Sequence, residues 1–217
     1  MPPVTLGVAV KMKKHIHSII LLFSCVLAVQ SFAQENGNQF TKFAGFELNT
    51  VNLNEVVEKY GPTELIETGE AGGYEARICY RLKEGILHFL SGEMGGPNHE
   101  LIGFGVSGHD PNAKCASFPR ELSDLELNIA GLRLGLTKTE FENLSLIKVK
   151  WQGDTGYTFF SSKKPMSKAE ISKLPRGVQK GINSGKFQNY FDVSVSLIGH
   201  FEGGILKEFR VWKVVTY

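Results

Sequence analysis

The stretch Gly131–Leu146, GLRLGLTKTEFENLSL, decides how the chain reads as a fold. Thr137 and Glu140 have the T-x-x-E spacing of a capping box. In that box the threonine hydroxyl accepts from the Glu140 N–H, and the Glu140 carboxylate accepts from the Thr137 N–H and favours the positive end of the helix. Phe141, Leu144 and Leu146 supply an apolar stripe, so the spacing predicts a helix from Lys138 to about Leu144. About 85 residues earlier Asn52 and Glu55 stand in the same relation, with Val56, Val57 and Tyr60 as the stripe and Gly61-Pro62 as the stop.

The flanks of the two helices also correspond. Gly69-Glu70-Ala71-Gly72-Gly73-Tyr74 matches Gly153-Asp154-Thr155-Gly156-Tyr157, and Leu101–Val106 matches Leu206–Val211. Alternation predicts strands at Tyr74–Leu82, Ile86–Leu90, Leu101–Val106, Tyr157–Ser161, Phe191–Leu197 and Ile205–Val215. Each half reads as a helix followed by about four strands. One such half can bury a single sheet face, so two halves sharing one continuous sheet make physical sense. The expected fold is α+β: two helix-plus-antiparallel-sheet repeats forming one sheet with helices on one face. The first repeat spans 34–108, with Gln34–Thr41 polar and expected to fray. Residues 109–130 form a linker, and 131–217 the second repeat. An insertion at 163–189 carries a third capping box, Ser167 with Glu170, which predicts a helix over Lys168–Lys173 ended by Pro175.

The pattern G-L-x-x-G-x-T-x-x-E-F-x-x-L in Gly131–Leu144, its tandem copy closed by Tyr60-Gly61-Pro62, and a leader resemble the β-lactamase-inhibitor-protein-like repeats. The same unit occurs in small outer-membrane-assembly lipoproteins. The resemblance covers most of Phe43–Tyr217, interrupted by the linker and the insertion, and the second helix lacks the closing Gly-Pro. It implies an antiparallel sheet with helices on one face and a concave opposite face able to bind protein.

Residues 1–33 read as a signal peptide. Lys11, Lys13 and Lys14 form a basic region, Ser18–Val29 an apolar core too short for a membrane span, and Ser31-Phe32-Ala33 a cleavage site. Met12 opens a more typical leader than Met1. Leu22-Phe23-Ser24-Cys25 only loosely matches a lipobox, because Phe23 is bulky where a small residue is usual, so a lipid anchor at Cys25 is not expected. Cleavage after Ala33 takes away three lysines and no acids. The formal charge then falls from +2 to about −1, with 21 basic against 22 acidic side chains. There is no basic excess for nucleic acid. In an exported chain the remaining pair, Cys79 and Cys115, reads as one disulfide, closing a loop of about 36 residues and contributing roughly 3–4 kcal/mol.

Motifs for catalysis are sparse. Gly103–Gly108 matches G-x-G-x-x-G, but His109-Asp110-Pro111 follows where a dinucleotide site needs a helix, so these read as glycines of a strand and turn. His88, His99, His109 and His200 lack helical i,i+4 spacing. There is no G-x-S-x-G elbow, and Ser91 and Ser107 have no evident partner in sequence. No metal or other cofactor is implied. Phe209 and Val211 should share the helix-covered face with Phe104 and Val106, which puts Arg210, Trp212 and Val214 on the open face. Arg and Trp are enriched at binding centres. The expectation is a non-catalytic, exported protein-binding module, inhibitory or serving envelope maintenance, in the periplasm or secreted, with an unidentified protein partner. The alternatives are a small periplasmic hydrolase and a small-ligand or metal carrier. A deep polar cavity with perturbed titrating groups would favour the enzyme, a shallow aromatic sheet would favour binding, and clustered His88, His99 and His109 would favour metal.

Overall fold

The computed structural model describes residues 37–119, 125–145 and 147–217. The proposed leader with Cys25, part of the linker, and Leu146 lie outside these. The fold is α+β, built on a large antiparallel sheet with few helices.

Strands β1 (Lys42–Phe43) and β2 (Phe46–Glu47) form a small hairpin, turned by Ala44 and Gly45 with φ of 50° and 71°. Helix α1 (Leu53–Tyr60) follows, and both bonds of the Asn52–Glu55 capping box are present. Strands β3 (Ile66–Thr68), β4 (Glu75–Leu82), β5 (Gly85–Gly92) and β6 (Gly103–Ser107) come next, then β7 (Ala116–Ser117). Helix α2 (Lys138–Ser145) starts at the Thr137–Glu140 box, again with both backbone bonds made. Strands β8 (Lys150–Gln152) and β9 (Thr155–Pro165), helices α3 (Lys168–Lys173) and α4 (Arg176–Asn183), and strands β10 (Tyr190–Glu202) and β11 (Ile205–Thr216) complete the chain. In the sheet the order is β3-β4-β5-β6-β11-β10-β9-β8, every neighbour antiparallel, while β7 adds to β4 in parallel.

Strand period and register set the core. Phe104 lies opposite Val211 and Val106 opposite Phe209, and all four are buried. Alternation carries that face outward to Leu87 and Phe89 on one side and to Val195 and Leu197 on the other. Helices α1 and α2 cover it. Tyr60 of α1 meets Tyr80 and Phe89 at ring separations of 5.9 and 6.0 Å, and Phe141 of α2 meets Phe201 at 5.6 Å. Gly199 clears space for this second contact, since a methyl group there would come within 3.1 Å of the Phe141 ring.

Three segments differ from their sequence expectation. Gln34–Thr41 was expected to fray, but Gln39–Thr41 is a 3-10 turn in which Phe40 is fully buried. The reason is Phe160, whose ring lies 5.9 Å from that of Phe40 and is part of the same core. The segment 109–130 is more than a connection: it supplies β7 and buries Phe118, Leu127 and Ile129. The Phe118 ring meets Tyr60 at 4.7 Å, tilted by 53°, at the outer end of the sheet where β3 is short. Within 163–189, α3 forms with its Ser167–Glu170 box as expected, but Pro175 ends it only to start α4. Proline suits that role because its fixed φ is compatible with a helix start.

Candidate functional site

The sheet face opposite the helices carries the residues read as a binding site. Register arranges it in rows across the strands. One row runs Phe159, Ser196, Trp212, Gly103, Leu90, Arg77. The next runs Tyr157, Ile198, Arg210, Gly105, His88, Cys79. Arg210, Trp212 and Val214 therefore share this face, as alternation along β11 requires, and each is half-buried. Trp212 lies on Gly103, where a methyl group would meet its ring at 2.8 Å. The glycine thus lets the indole lie down on the sheet. On the β9 side Phe159 is 51% exposed, with Tyr157 and Ile198 half-buried beside it and Ser161, Ser194 and Ser196 between.

Toward β4 and β5 the face becomes polar and closes into a cavity of about 460 Å³, lined by Arg77, His88, Ser107, Glu208 and Arg210 and walled by Cys79, Cys115 and residues 110–114. The sequence offered His88 as one of a possible metal set and Ser107 as a serine without a partner, and gave no functional sign of Arg77 or Glu208. Their only signal was alternation of Glu75, Arg77, Cys79 and Arg81 on one strand and of Glu208 and Arg210 on another. Gly105 makes the room: a methyl group there would press on His88 Cβ at 3.3 Å. The G-x-G pattern in β6 is thus a pair of close approaches on a strand, one under Trp212 and one beside His88.

The segment over the cavity is tied down at several points. Cys79 and Cys115 are disulfide-bonded, with Cα atoms 4.9 Å apart. Arg81 donates to the carbonyl of Ala113, His109 Nε2 lies 2.8 Å from the Lys83 carbonyl, and Phe118 N–H donates to Arg81 O at 3.0 Å.

Charges within the cavity are paired unequally. Arg210 donates to Glu75 at 2.6 Å and to Glu208 at 2.9 Å. Burial works against its charge, but the two carboxylates outweigh it and raise the pKa of Arg210. Arg77 reaches Glu75 only at 3.7 Å, and its Nε is buried with no hydrogen-bond partner. His88 Nε2 shares a 3.0 Å hydrogen bond with the Ser107 hydroxyl, while its Nδ1 is also buried without a partner. A buried polar group left unpaired costs about 1–3 kcal/mol, and Arg77 Nε and His88 Nδ1 are two such nitrogens on neighbouring strands. Burial pushes the pKa of His88 down to about 4, with Arg77 and Arg210 lowering it further and Glu208 opposing. The ring is therefore neutral at neutral pH. Ser107 and His88 have the contact of a nucleophile and its base, but a base titrating near 4 is a poor proton acceptor and no carboxylate orients its Nδ1.

The histidines weighed as a metal set are not brought together. His88 lines the cavity, His99 stacks on Tyr74, and His109 binds the Lys83 carbonyl. Among the described residues no group of three or more His, Cys, Asp and Glu side chains is placed to hold a metal ion. No helix among them is long and apolar enough to cross a membrane. A larger cleft of about 760 Å³ opens between β2, the β9–β10 extension and the end of β11. Several of its charges are paired: Lys42 with Glu47 at 3.0 Å, Lys164 with Glu170 at 2.8 Å, and Lys213, which burial holds below the usual lysine range, with Glu47 at 4.0 Å, while Lys163 bonds the Tyr190 hydroxyl. No protein-family model, curated protein or solved structure matches the chain.

Proposed function

We propose that the chain is an exported, non-catalytic protein-binding module that receives its partner on the helix-free sheet face, with Arg210, Trp212 and Val214 at the centre. One observation carries this reading. Trp212, Ile198, Tyr157 and the exposed Phe159 lie side by side on strands β9–β11, on the face opposite α1 and α2, and interleaved with small serines. Aromatic anchors among small polar neighbours suit a protein surface that inserts an apolar side chain beside the indole. The low pKa of His88 weighs against the hydrolase alternative.

Two further parts of the proposal rest on separate support. The halves are copies of one unit. What supports this is the sheet order, β3-β4-β5-β6 mirrored by β11-β10-β9-β8, with the antiparallel β6–β11 register, Phe104 with Val211 and Val106 with Phe209, compatible with a twofold that relates Phe104 to Phe209 and Val106 to Val211. The compartment is extracytoplasmic, because a disulfide between Cys79 and Cys115 persists where conditions are oxidising. The repeat unit resembles the β-lactamase-inhibitor-protein-like type in its capped helix followed by an antiparallel meander.

The test is site-specific photo-crosslinking in cells exporting the protein. A crosslinker at Phe159 should capture a discrete partner, one at Glu58 on the exposed side of α1 should not, and Trp212→Ala should abolish capture from position 159. Equal capture from both faces, or capture indifferent to Trp212, rejects the proposed face.

A further inference from the structure

We propose that the basic helical tip formed by residues 163–189 docks the protein on an anionic phospholipid bilayer, with Phe187 entering the headgroup layer. Residues 34–217 hold 21 basic and 22 acidic side chains, and that near-neutral total conceals a segregation. Seven of the basic residues fall in 163–189, with Glu170 as the single acid, which leaves the remainder with 14 basic against 21 acidic. Two of the seven are engaged locally. Lys164 pairs with Glu170 at 2.8 Å, and Lys163 donates to the Tyr190 hydroxyl at 2.9 Å, with Asp192 opposite it on β10. The other five, Lys168, Lys173, Arg176, Lys180 and Lys186, are exposed, and among the described residues none of them pairs with a carboxylate.

The tip is built apart from the core. Pro165 pairs with Tyr190 at the end of the β9–β10 ladder, and α3 and α4 lie between them in sequence. Among the described residues neither helix contributes to the hydrophobic core. The two hold each other instead: the Gln179 amide donates to the carbonyls of Ser172 and Leu174 at 3.1 and 2.7 Å, and the N–H groups of Lys186 and Phe187 both return to the Gly181 carbonyl. On α4, Val178 and Ile182 are half-buried one turn apart, while Arg176 and Lys180, also one turn apart, are exposed on another side. The Phe187 ring lies on Gly181 and leaves no room for a methyl group there, yet Phe187 is 52% exposed. Lysines and arginine around a short amphipathic helix, with an aromatic ring beside them, match the composition of segments that lie at a membrane surface. The acidic remainder sets the orientation, because an anionic surface repels it and attracts only the tip. The exposed ring selects a bilayer over a soluble polyanion, since it gains by leaving water only where an apolar layer can receive it.

The test is sedimentation of the oxidised, exported protein with vesicles of phosphatidylcholine alone, or of phosphatidylcholine and phosphatidylglycerol in equal parts. Saturable binding is expected on the anionic vesicles only. It should fade as salt rises, because the Debye length shrinks from about 10 Å at 0.1 M to about 3 Å at 1 M. Each basic side chain at such a surface strengthens binding about fivefold, so Arg176→Gln with Lys180→Gln should weaken it about tenfold or more. Lys83→Gln with Lys207→Gln makes the same charge change at exposed sites outside the tip and should weaken it less than about twofold. If the first pair disturbs α4, Lys168→Gln with Lys173→Gln on α3 repeats the measurement. In Phe187→Trp the emission added to that of Trp151 and Trp212 should shift to the blue on anionic vesicles. Equal binding to both vesicle types, no binding to the anionic ones, equal losses from the tip and control pairs, no blue shift from position 187, or binding to a single-stranded oligonucleotide or polyglutamate as tight as to vesicles would each overturn the proposal. Trp212→Ala should leave vesicle binding unchanged while abolishing capture from position 159, so the two readings fail separately.

Discussion

Truncating Phe209 and Trp212 in turn tests which face of the sheet is core. The two residues lie three apart on β11 and so on opposite faces. Phe209 is fully buried, with Val106 and Gly199 as its cross-strand neighbours on the helix-covered side. Phe209→Ala removes a ring from a close-packed layer that relaxes only in part, so transfer and cavity terms add to about 3–5 kcal/mol. For a domain of this size that lowers the midpoint of thermal unfolding by about 10 °C. Trp212 is half-buried, with its ring against Gly103. Trp212→Ala should therefore cost about 1–2 kcal/mol, the part of its apolar area that is covered. Urea denaturation of the oxidised protein, followed by far-UV circular dichroism because one variant lacks a fluorophore, gives both values. A loss for Trp212→Ala equal to that for Phe209→Ala would show that the indole is a core residue, and the proposed binding face would fall with it.

Four further outcomes are expected. His88 stays neutral in the folded protein down to about pH 4, while the unfolded chain takes up its proton near 6.5. Its contribution is thus full above pH 6.5 and is lost as pH falls toward 4, by about 3 kcal/mol at most, and His88→Asn should flatten that part of the urea-midpoint profile; an unchanged slope rejects the assignment. Replacing Cys79 and Cys115 together by alanine frees a loop of sequence separation 36 and should cost about 4 kcal/mol in denaturant titrations, so an unmoved midpoint contradicts a structural role for the bridge. Phe40→Ala should cost about 3–5 kcal/mol as a core truncation, whereas a frayed terminus would register less than about 0.5. N-terminal sequencing of the exported protein should begin at Gln34; an intact Met1 or Met12 excludes cleavage, and an acylated Cys25 selects a lipoprotein instead.

Much of the fold was legible because its determinants are local. The three capping boxes, at Asn52, Thr137 and Ser167, are each closed within four residues, and all three begin helices in the structure. Alternation along β10 and β11 is a property of consecutive residues, and it placed Arg210 and Trp212 opposite Phe209 and Val211 before any strand partner was known. The elements that were missed depend on partners far along the chain. Phe40 is buried only because Phe160 is there to receive it, and β7 forms only because β4 offers an unpaired edge beyond β3. The cavity is the extreme case. Arg77 comes from one strand, His88 and Ser107 from two others, and Glu208 and Arg210 from the second half of the chain, 131 residues or more beyond Arg77. Side-chain period decided which way each of these residues points. Strand order across the β6–β11 seam, which no local pattern encodes, decided that they meet and that two of their buried nitrogens are left without partners.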